Sequence, residues 1–231
     1  MTNLQVINAM LYVAEHGCKW RGLPKRFGNW HTIYTRMRRW TKAGVLDKMF
    51  EELQREQVVR IKIEAVSLDS TSIKVHPDGT GALKKTDHRP LANLEVVGTP
   101  RFMVAADART AVTFSLSPGQ AHDAPEGRRL LESLGATSRP LHLLMDRAYE
   151  GNETRQLALD LGFIPVVPPM KTRIEPWEYD REMYKRRNEV ERLFRRLKGF
   201  RRIFSRFEKL DAMSLGFLSF VLVADGLRGL C

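Results

Sequence analysis

Two short apolar runs that each end in an aspartate constrain this chain more than any other sequence feature. Residues Ala65–Asp69 read AVSLD, and residues Leu141–Asp146 read LHLLMD. Each run has the length of a buried strand and is too short for a buried helix. Because open α/β sheets place their sites where strands end, both carboxylates are predicted at one edge of one sheet.

The segments around these two runs predict the rest of an α/β fold. Residues Met103–Ala106 and Ala111–Leu116 have strand-like composition and flank a turn at Asp107–Thr110, which indicates a hairpin. The order of strands and helices after residue 62 predicts a mixed sheet with helices on its faces. The other predicted elements are helices at 124–134 and 152–161 and a strand at 163–167.

A small helical region precedes the predicted sheet. Apolar spacing predicts helices at 3–16, 30–42 and 46–61, and Gly17 and Asn29 have the residue types of a helix end and a helix cap. Three short helices with a basic second or third member resemble a helix-turn-helix module, although a helical cap with a solvated basic face has the same pattern. We therefore divide the chain into a DNA-binding region, 1–62, and a sheet domain, 63–231.

A third carboxylate is expected on a long basic helix at 179–198. Glu191 is the candidate, and the steps from Tyr184 to Arg187, to Glu191 and to Lys198 keep all four on one helix face. Glu189 is the competing candidate, but it points about 200° away from Glu191, so both cannot serve one site. The apolar stripe that would dock this helix consists of Val190, Leu193, Phe194 and Leu197.

Three carboxylates at one site can hold two divalent cations about 3.5–4 Å apart. Oxygen ligands of this kind favour Mg²⁺ or Mn²⁺. Such a pair of ions activates an attacking oxygen and stabilises a leaving one, which suits the cutting of a phosphodiester. Taken singly, a strand-end aspartate is more often a cap, and a glutamate in a basic helix is more often an ion-pair partner.

The charge of the chain predicts a polyanionic partner. The formal net charge is +11, and residues 179–209 hold twelve Lys and Arg against five Asp and Glu. Nucleic acid is the commonest partner of so basic a protein. The arginines expected on DNA, besides those of the long helix already named, are Arg36, Arg38, Arg39 and Arg195.

Cysteine usage and hydropathy predict a cytoplasmic, nucleoid-associated protein. Cys18 and Cys231 lack metal-type spacing and are expected to be free thiols in a reducing compartment. The apolar run Met213–Ala224 is too short to span a bilayer, so no membrane partner is expected.

Three motifs resemble those of one family. Residues Tyr184–Lys198 fit the pattern Y-x2-R-x3-E-x6-K, while Asp69–His76 read DSTSIKVH and Met145–Gly151 read MDRAYEG. These segments resemble the bacterial insertion-sequence transposases of group four/five. The resemblance implies a ribonuclease-H-like core in which Asp69, Asp146 and Glu191 bind two Mg²⁺ or Mn²⁺ ions. It also implies that Tyr184, Arg187 and Lys198 contact DNA or orient the glutamate.

The chain departs from that family at two places. Relatives carry a longer N-terminal lead, so we expect a truncation or a late start here. Relatives also carry a glycine-rich basic stretch where residues Thr86–Phe102 read TDHRPLANLEVVGTPRF. A shift of one nucleotide permits the family-like string, which predicts a compensated frameshift; a divergent loop is the alternative.

Three functions follow from these patterns. The first is a transposase that cuts DNA and transfers strands, working on double-stranded element ends and target DNA as a homo-oligomer. The second is an impaired remnant that only binds DNA, and the third is a related nuclease that cuts without joining. The three carboxylates favour the first function, whereas the two departures favour the second.

Overall fold

The computed structural model describes residues 1–56, 65–76, 101–107, 110–117 and 121–228. The helices in these ranges are α1 Asn3–His16, α2 Trp30–Lys42, α3 Val45–Arg55, α4 Asp123–Leu134, α5 Asn152–Asp160, α6 Arg181–Lys185, α7 Asn188–Gly199, α8 Arg201–Phe204 and α9 Asp211–Arg228. The strands are β1 Ala65–Ser72, β2 Lys74–Val75, β3 Arg101–Asp107, β4 Thr110–Ser117, β5 Leu141–Met145, β6 Phe163–Val166 and β7 Ser205–Arg206.

The N-terminal helices begin and end at the residues that their sequence predicts. The Thr2 side chain accepts a hydrogen bond from the backbone of Gln5, whose side chain accepts one from the backbone of Thr2, so a capping box starts α1. Gly17 ends α1 at φ 66°, a left-handed conformation that glycine adopts without strain. Asn29 Oδ1 accepts from the backbone N–H of His31 at 2.9 Å and caps α2.

The main sheet has the strand order β4-β3-β1-β5-β6. Strand β3 is antiparallel to both β1 and β4, while β1, β5 and β6 are parallel to one another. A central first strand, an antiparallel hairpin on one side and parallel strands on the other form the ribonuclease-H-like arrangement. The predicted mixed sheet with flanking helices is confirmed.

Alternation along β1 divides the sheet into two faces. Val66 and Leu68 lie in one buried cluster with Leu143 and Met145, to which α4 adds Leu130 and Leu131 and α5 adds Ala158. Ala65 lies in the other cluster with Leu144 and Val166, against which Tyr184 packs. Because successive strand residues point to opposite faces, Asp69 belongs to the same face as Ala65.

Three predicted elements differ from the observed ones. Strand β1 was expected to stop at Asp69 but continues to Ser72, because Asp69–Ser72 pair with Arg101–Val104 of β3. The predicted helix at 179–198 is two helices, α6 and α7, separated by a turn at Arg186 and Arg187. The predicted helix at 46–61 ends at Arg55, and its last residues lie outside the described ranges.

The chain forms two compact units. One contains β1, β3–β6, α4–α6 and α7 as far as Phe194; the other contains α1–α3, β2, β7 and the chain from Arg195 onward. In the second unit, the Ser219 hydroxyl donates to Asp47 at 2.6 Å, which ties α9 to α3. The C-terminal helix therefore belongs to the same compact unit as the N-terminal helices. The division of the chain at residue 62 into a DNA-binding region and a sheet domain remains a prediction about function.

No helix in the described part of the chain combines the length and apolarity needed to cross a bilayer. The altered segment Thr86–Phe102 lies outside the described residues except for Arg101 and Phe102, which begin β3.

Candidate active site

Asp69 and Asp146 directly follow two residues that are aligned on neighbouring parallel strands. The β1–β5 register ends with Leu68 opposite Met145, and Asp69 and Asp146 are the next residues of the two segments. Adjacent strands lie about 4.8 Å apart. The two carboxylates therefore start from neighbouring points near the carboxyl end of β5, although β1 itself continues past Asp69 to Ser72.

Backbone amides fix one oxygen of each aspartate. Asp69 Oδ1 accepts from the Ser70 N–H at 2.8 Å. Asp146 Oδ1 accepts from the Ala148 N–H at 2.8 Å and caps the short 3₁₀ turn Arg147–Tyr149. Asp146 thus has the capping role that a strand-end aspartate commonly has.

The break between α6 and α7 brings Arg187 to these carboxylates. The N–H of Arg187 donates to Tyr184 O at 3.0 Å and that of Val190 donates to Arg187 O at 3.2 Å, so the turn has the i→i−3 bonds of a tighter helix. Tyr184 consequently lies before the break and Glu191 after it. The signature residues therefore do not lie on one continuous helix.

Arg187 bridges two of the three predicted carboxylates. Its Nη1 lies 2.7 Å from Asp69 Oδ2, and its Nη2 lies 2.7 Å from Glu191 Oε1. Charge-assisted bonds of this length are among the stronger ones in proteins. Oε1 of Glu189, the competing glutamate, instead lies 4.0 Å from Nε of Arg186. Glu191 is therefore the glutamate that shares a cationic partner with Asp69.

The three carboxylates influence one another electrostatically. Burial raises the pKa of Asp69 to about 6, with smaller raising contributions from Asp146 and Glu191. The Ser70 amide and Arg187 act in the opposite direction but do not offset the burial. A buried carboxylate beside two others favours a proton or a cation near it.

Arg187 stays charged in this environment. Burial alone would lower the pKa of Arg187, but Asp69, Tyr184, Glu191 and Asp146 together raise it. Tyr184 has a pKa raised mainly by burial, and it packs against the cluster of Ala65, Leu144 and Val166. Tyr184 therefore serves packing as well as any role toward DNA.

The other basic residues predicted on DNA differ in exposure. Arg38, Arg39 and Arg195 are exposed, and Lys198 is half-buried. Arg36 donates to Met1 O at 3.2 Å and to Asn3 Oδ1 at 3.3 Å, so it joins α2 to the start of α1. Arg38 and Arg39 are thus better placed than Arg36 to meet a phosphate.

Tyr149 is a residue near the acidic group that the sequence reasoning missed. Its side chain is 1% exposed, and its hydroxyl has no hydrogen-bond partner among the described residues. Burial is the main cause that raises the pKa of Tyr149, and the carboxylates of Asp123, Asp69 and Asp146 raise it further. The Ser70 side chain lowers this pKa, but it does not form a hydrogen bond with the Tyr149 hydroxyl. The signal that could have found it is the aromatic residue three positions after Asp146.

Trp177 takes part in packing. Its Nε1–H donates to Val167 O at 2.8 Å, and the ring packs against the apolar cluster beneath α4. The guanidinium carbons of Arg155 and Arg173 lie 3.6 and 4.4 Å from the ring centroid. These contacts give Trp177 a structural role.

The acidic group suits a divalent cation in its chemistry. Among the residues that the structure describes, no three His, Cys, Asp or Glu side chains are grouped closely enough to hold a metal ion as they stand. The donors are nevertheless hard oxygens, and a guanidinium already supplies positive charge between Asp69 and Glu191. By this donor chemistry, Asp69, Asp146 and Glu191 are the candidates for holding such an ion.

Two family models match this chain. A transposase DDE domain matches residues 60–224, and the model described as "Putative transposase of IS4/5 family" matches residues 1–50. The first match covers most of the chain and all three predicted carboxylates. The chain belongs to the transposase DDE domain family, as its insertion-sequence motifs predict.

Relatives and solved structures are similar over parts of the chain. "Uncharacterized protein y4sN" of Sinorhizobium fredii is 36% identical over 80 residues, which span 35% of this chain and 61% of the relative. "Putative transposase for insertion sequence element IS6501" of Brucella ovis is 30% identical over 113 residues, 48% of this chain and 85% of that one. A crystal structure of the Mos1 mariner paired end complex with Mn aligns at a TM-score of 0.38 and 13% identity, covering 96% of this chain and 73% of that chain.

Proposed function

We propose that this protein cuts DNA strands and joins them to a target by metal-assisted phosphoryl transfer. The supporting observation is the β1–β5 register, which sets Asp69 beside Asp146 within a transposase DDE domain. Glu191 adds the third carboxylate through the Arg187 bridge. The proposed partner is double-stranded DNA, both element ends and target, bound by a homo-oligomer.

Asp69, Asp146 and Glu191 would hold two Mg²⁺ or Mn²⁺ ions. Bound there, such ions activate the attacking oxygen and stabilise the leaving oxygen of the phosphodiester. The chain's own contribution is positional, because backbone amides orient Asp69 and Asp146, and the buried stripe of α7 fixes Glu191. Arg187 and the exposed arginines would hold the DNA phosphates.

An excision assay tests this proposal. The substrate is a plasmid carrying the DNA that flanks the reading frame on both sides, incubated with the full chain and Mg²⁺ or Mn²⁺. We expect flank-dependent strand breaks that require the metal and disappear with a chelator, followed by joined products in a target plasmid. Breaks without joined products would identify the chain as a nuclease. DNA binding without breaks would identify it as a non-catalytic remnant.

A further inference from the structure

The Arg187 guanidinium occupies the position between Asp69 and Glu191 that a shared cation would also favour. The two N–O distances are both 2.7 Å, while the side chains of Arg187 and Asp69 are 19% and 13% exposed. Each of the two carboxylates thus gives one oxygen to the same positive charge. Asp69 gives its other oxygen to the Ser70 amide.

A divalent cation and this guanidinium cannot both interact fully with the same two carboxylates. Like charges a few ångströms apart repel strongly at partly buried sites, and both ligands prefer the same oxygens. Asp69 has no oxygen free of a partner while Arg187 remains in place. Cation binding to Asp69 and Glu191 is therefore weakened while Arg187 remains between them.

Arg187 also has the chemistry to move to another ligand. A guanidinium binds a phosphate through a planar fork at least as well as it binds a carboxylate. Arg187 lies in the turn between α6 and α7, and the side chain of its second carboxylate partner, Glu191, is 43% exposed. A phosphodiester that reaches this edge of the sheet can therefore compete for it.

We propose that Arg187 and the divalent cations compete for Asp69 and Glu191, and that a DNA phosphate releases the carboxylates by drawing Arg187 away. This inference rests on the proposed function, because it assumes that DNA and cations meet at this group. Binding of the two ligands is then coupled, and coupling of this kind is reciprocal. Cation affinity stays low until DNA is in place.

The test is a Mn²⁺ titration of the full chain, followed by electron paramagnetic resonance of the free ion. We expect R187Q to bind Mn²⁺ about tenfold more tightly than the natural chain, because an ionic hydrogen-bond partner no longer has to be displaced. R187K keeps the charge without the fork, so it should tighten binding by a smaller factor, roughly threefold. A short duplex should tighten Mn²⁺ binding by the natural chain more than it does for R187Q.

Arg186 provides the matched control for removal of charge. It is the preceding residue of the same turn, and it lies 4.0 Å from Glu189. R186Q removes an equal charge and should change Mn²⁺ affinity by less than about twofold, since charges that are not in direct contact are largely screened. An equal gain in R186Q and R187Q would overturn the competition.

The remaining outcomes separate this inference from the proposed function. Unchanged or weaker Mn²⁺ binding by both R187Q and R187K would overturn the competition, since a merely structural role for Arg187 predicts loss. Mn²⁺ affinity that D69N and E191Q leave unaltered would instead reject the metal site itself. Loss of Mn²⁺ binding in D69N, together with tighter Mn²⁺ binding in R187Q, supports both the metal site and the competition.

Discussion

Asp69 is the residue at which burial and function conflict most directly. Its pKa of about 6, against an ordinary value of 3.8, means that the folded chain binds this proton more tightly than the unfolded chain does. The contribution of Asp69 to stability is therefore fully present below about pH 4 and is lost as the pH rises through about 6. A raised carboxylate pKa of this kind is common where a protein holds a carboxylate for a cation.

We therefore predict that D69N gains stability relative to the natural chain as the pH rises from 4 to 7. A pKa rise from 3.8 to about 6 corresponds to a change on the order of 3 kcal/mol between these limits. Urea unfolding of both chains at both pH values, without divalent ions, measures it. The same difference in the free energy of unfolding at pH 4 and pH 7 would contradict the pKa assignment.

Gly127 is a second residue whose role is visible only in the fold. A Cβ at this position would lie 2.5 Å from Tyr149 Cε1 and 3.1 Å from Leu68 Cδ2. We predict that G127A lowers the free energy of unfolding by about 1–3 kcal/mol, because the buried ring cannot give way without strain. G151A is the control, since a Cβ on Gly151 meets nothing within 4 Å. Equal stability of the two variants would show that α4 can shift to accept the methyl group.

The helix that carries Glu191 shows how far sequence spacing can predict an element. The apolar stripe of α7 was predicted, and Val190, Leu193, Phe194 and Leu197 are all buried. The break at Arg186 and Arg187 was not predicted, because no Gly or Pro marks it. At this break Arg187 contacts Asp69, a residue 118 positions away in the chain. Local patterns do not contain such a contact.

The altered segment 86–102 gives a prediction at the scale of one element. It leads into β3, which pairs with the β1 strand that carries Asp69. Because the segment holds Pro90 and Pro100 in place of cationic and glycine positions, we predict that excision by this chain is detectable but weakened. Restoring residues 86–102 to the glycine-rich, basic string of the relatives should raise excision. Equal excision by the two chains would mean that the segment is a functional variant.

Across the whole molecule, the order of elements was predictable and their grouping was not. Two apolar runs, a hairpin and alternating helices were enough to predict the mixed sheet. The packing of α9 against the N-terminal helices was not predictable, because the sequence of an apolar helix does not specify which helix it packs against. The Asp47–Ser219 contact joins residues 172 positions apart, beyond any periodic pattern.

The charge of +11 predicts strongly salt-dependent DNA binding. Four phosphate contacts alone would weaken binding by about 100-fold between 50 and 200 mM salt. The double variant R38A/R39A should bind duplex DNA more weakly and with a shallower salt slope, because both side chains are exposed on α2. Fluorescence anisotropy at several salt concentrations measures both quantities. Affinity that is constant over this range would exclude an electrostatic interface.

The central claim is that Asp69, Asp146 and Glu191 act as one catalytic group, and Glu189 provides its sharpest control. Glu189 lies two residues from Glu191 on α7 but pairs with Arg186 rather than sharing Arg187 with Asp69. The deciding measurement is strand cleavage of the flanking-DNA plasmid with Mn²⁺, comparing E191Q and E189Q in the chain with residues 86–102 restored. We predict a loss of about 10³-fold or more in E191Q, as expected when a metal ligand is removed, and a change of less than about twofold in E189Q. Cleavage by E191Q at the unmodified rate, or its loss in E189Q alone, would contradict the account.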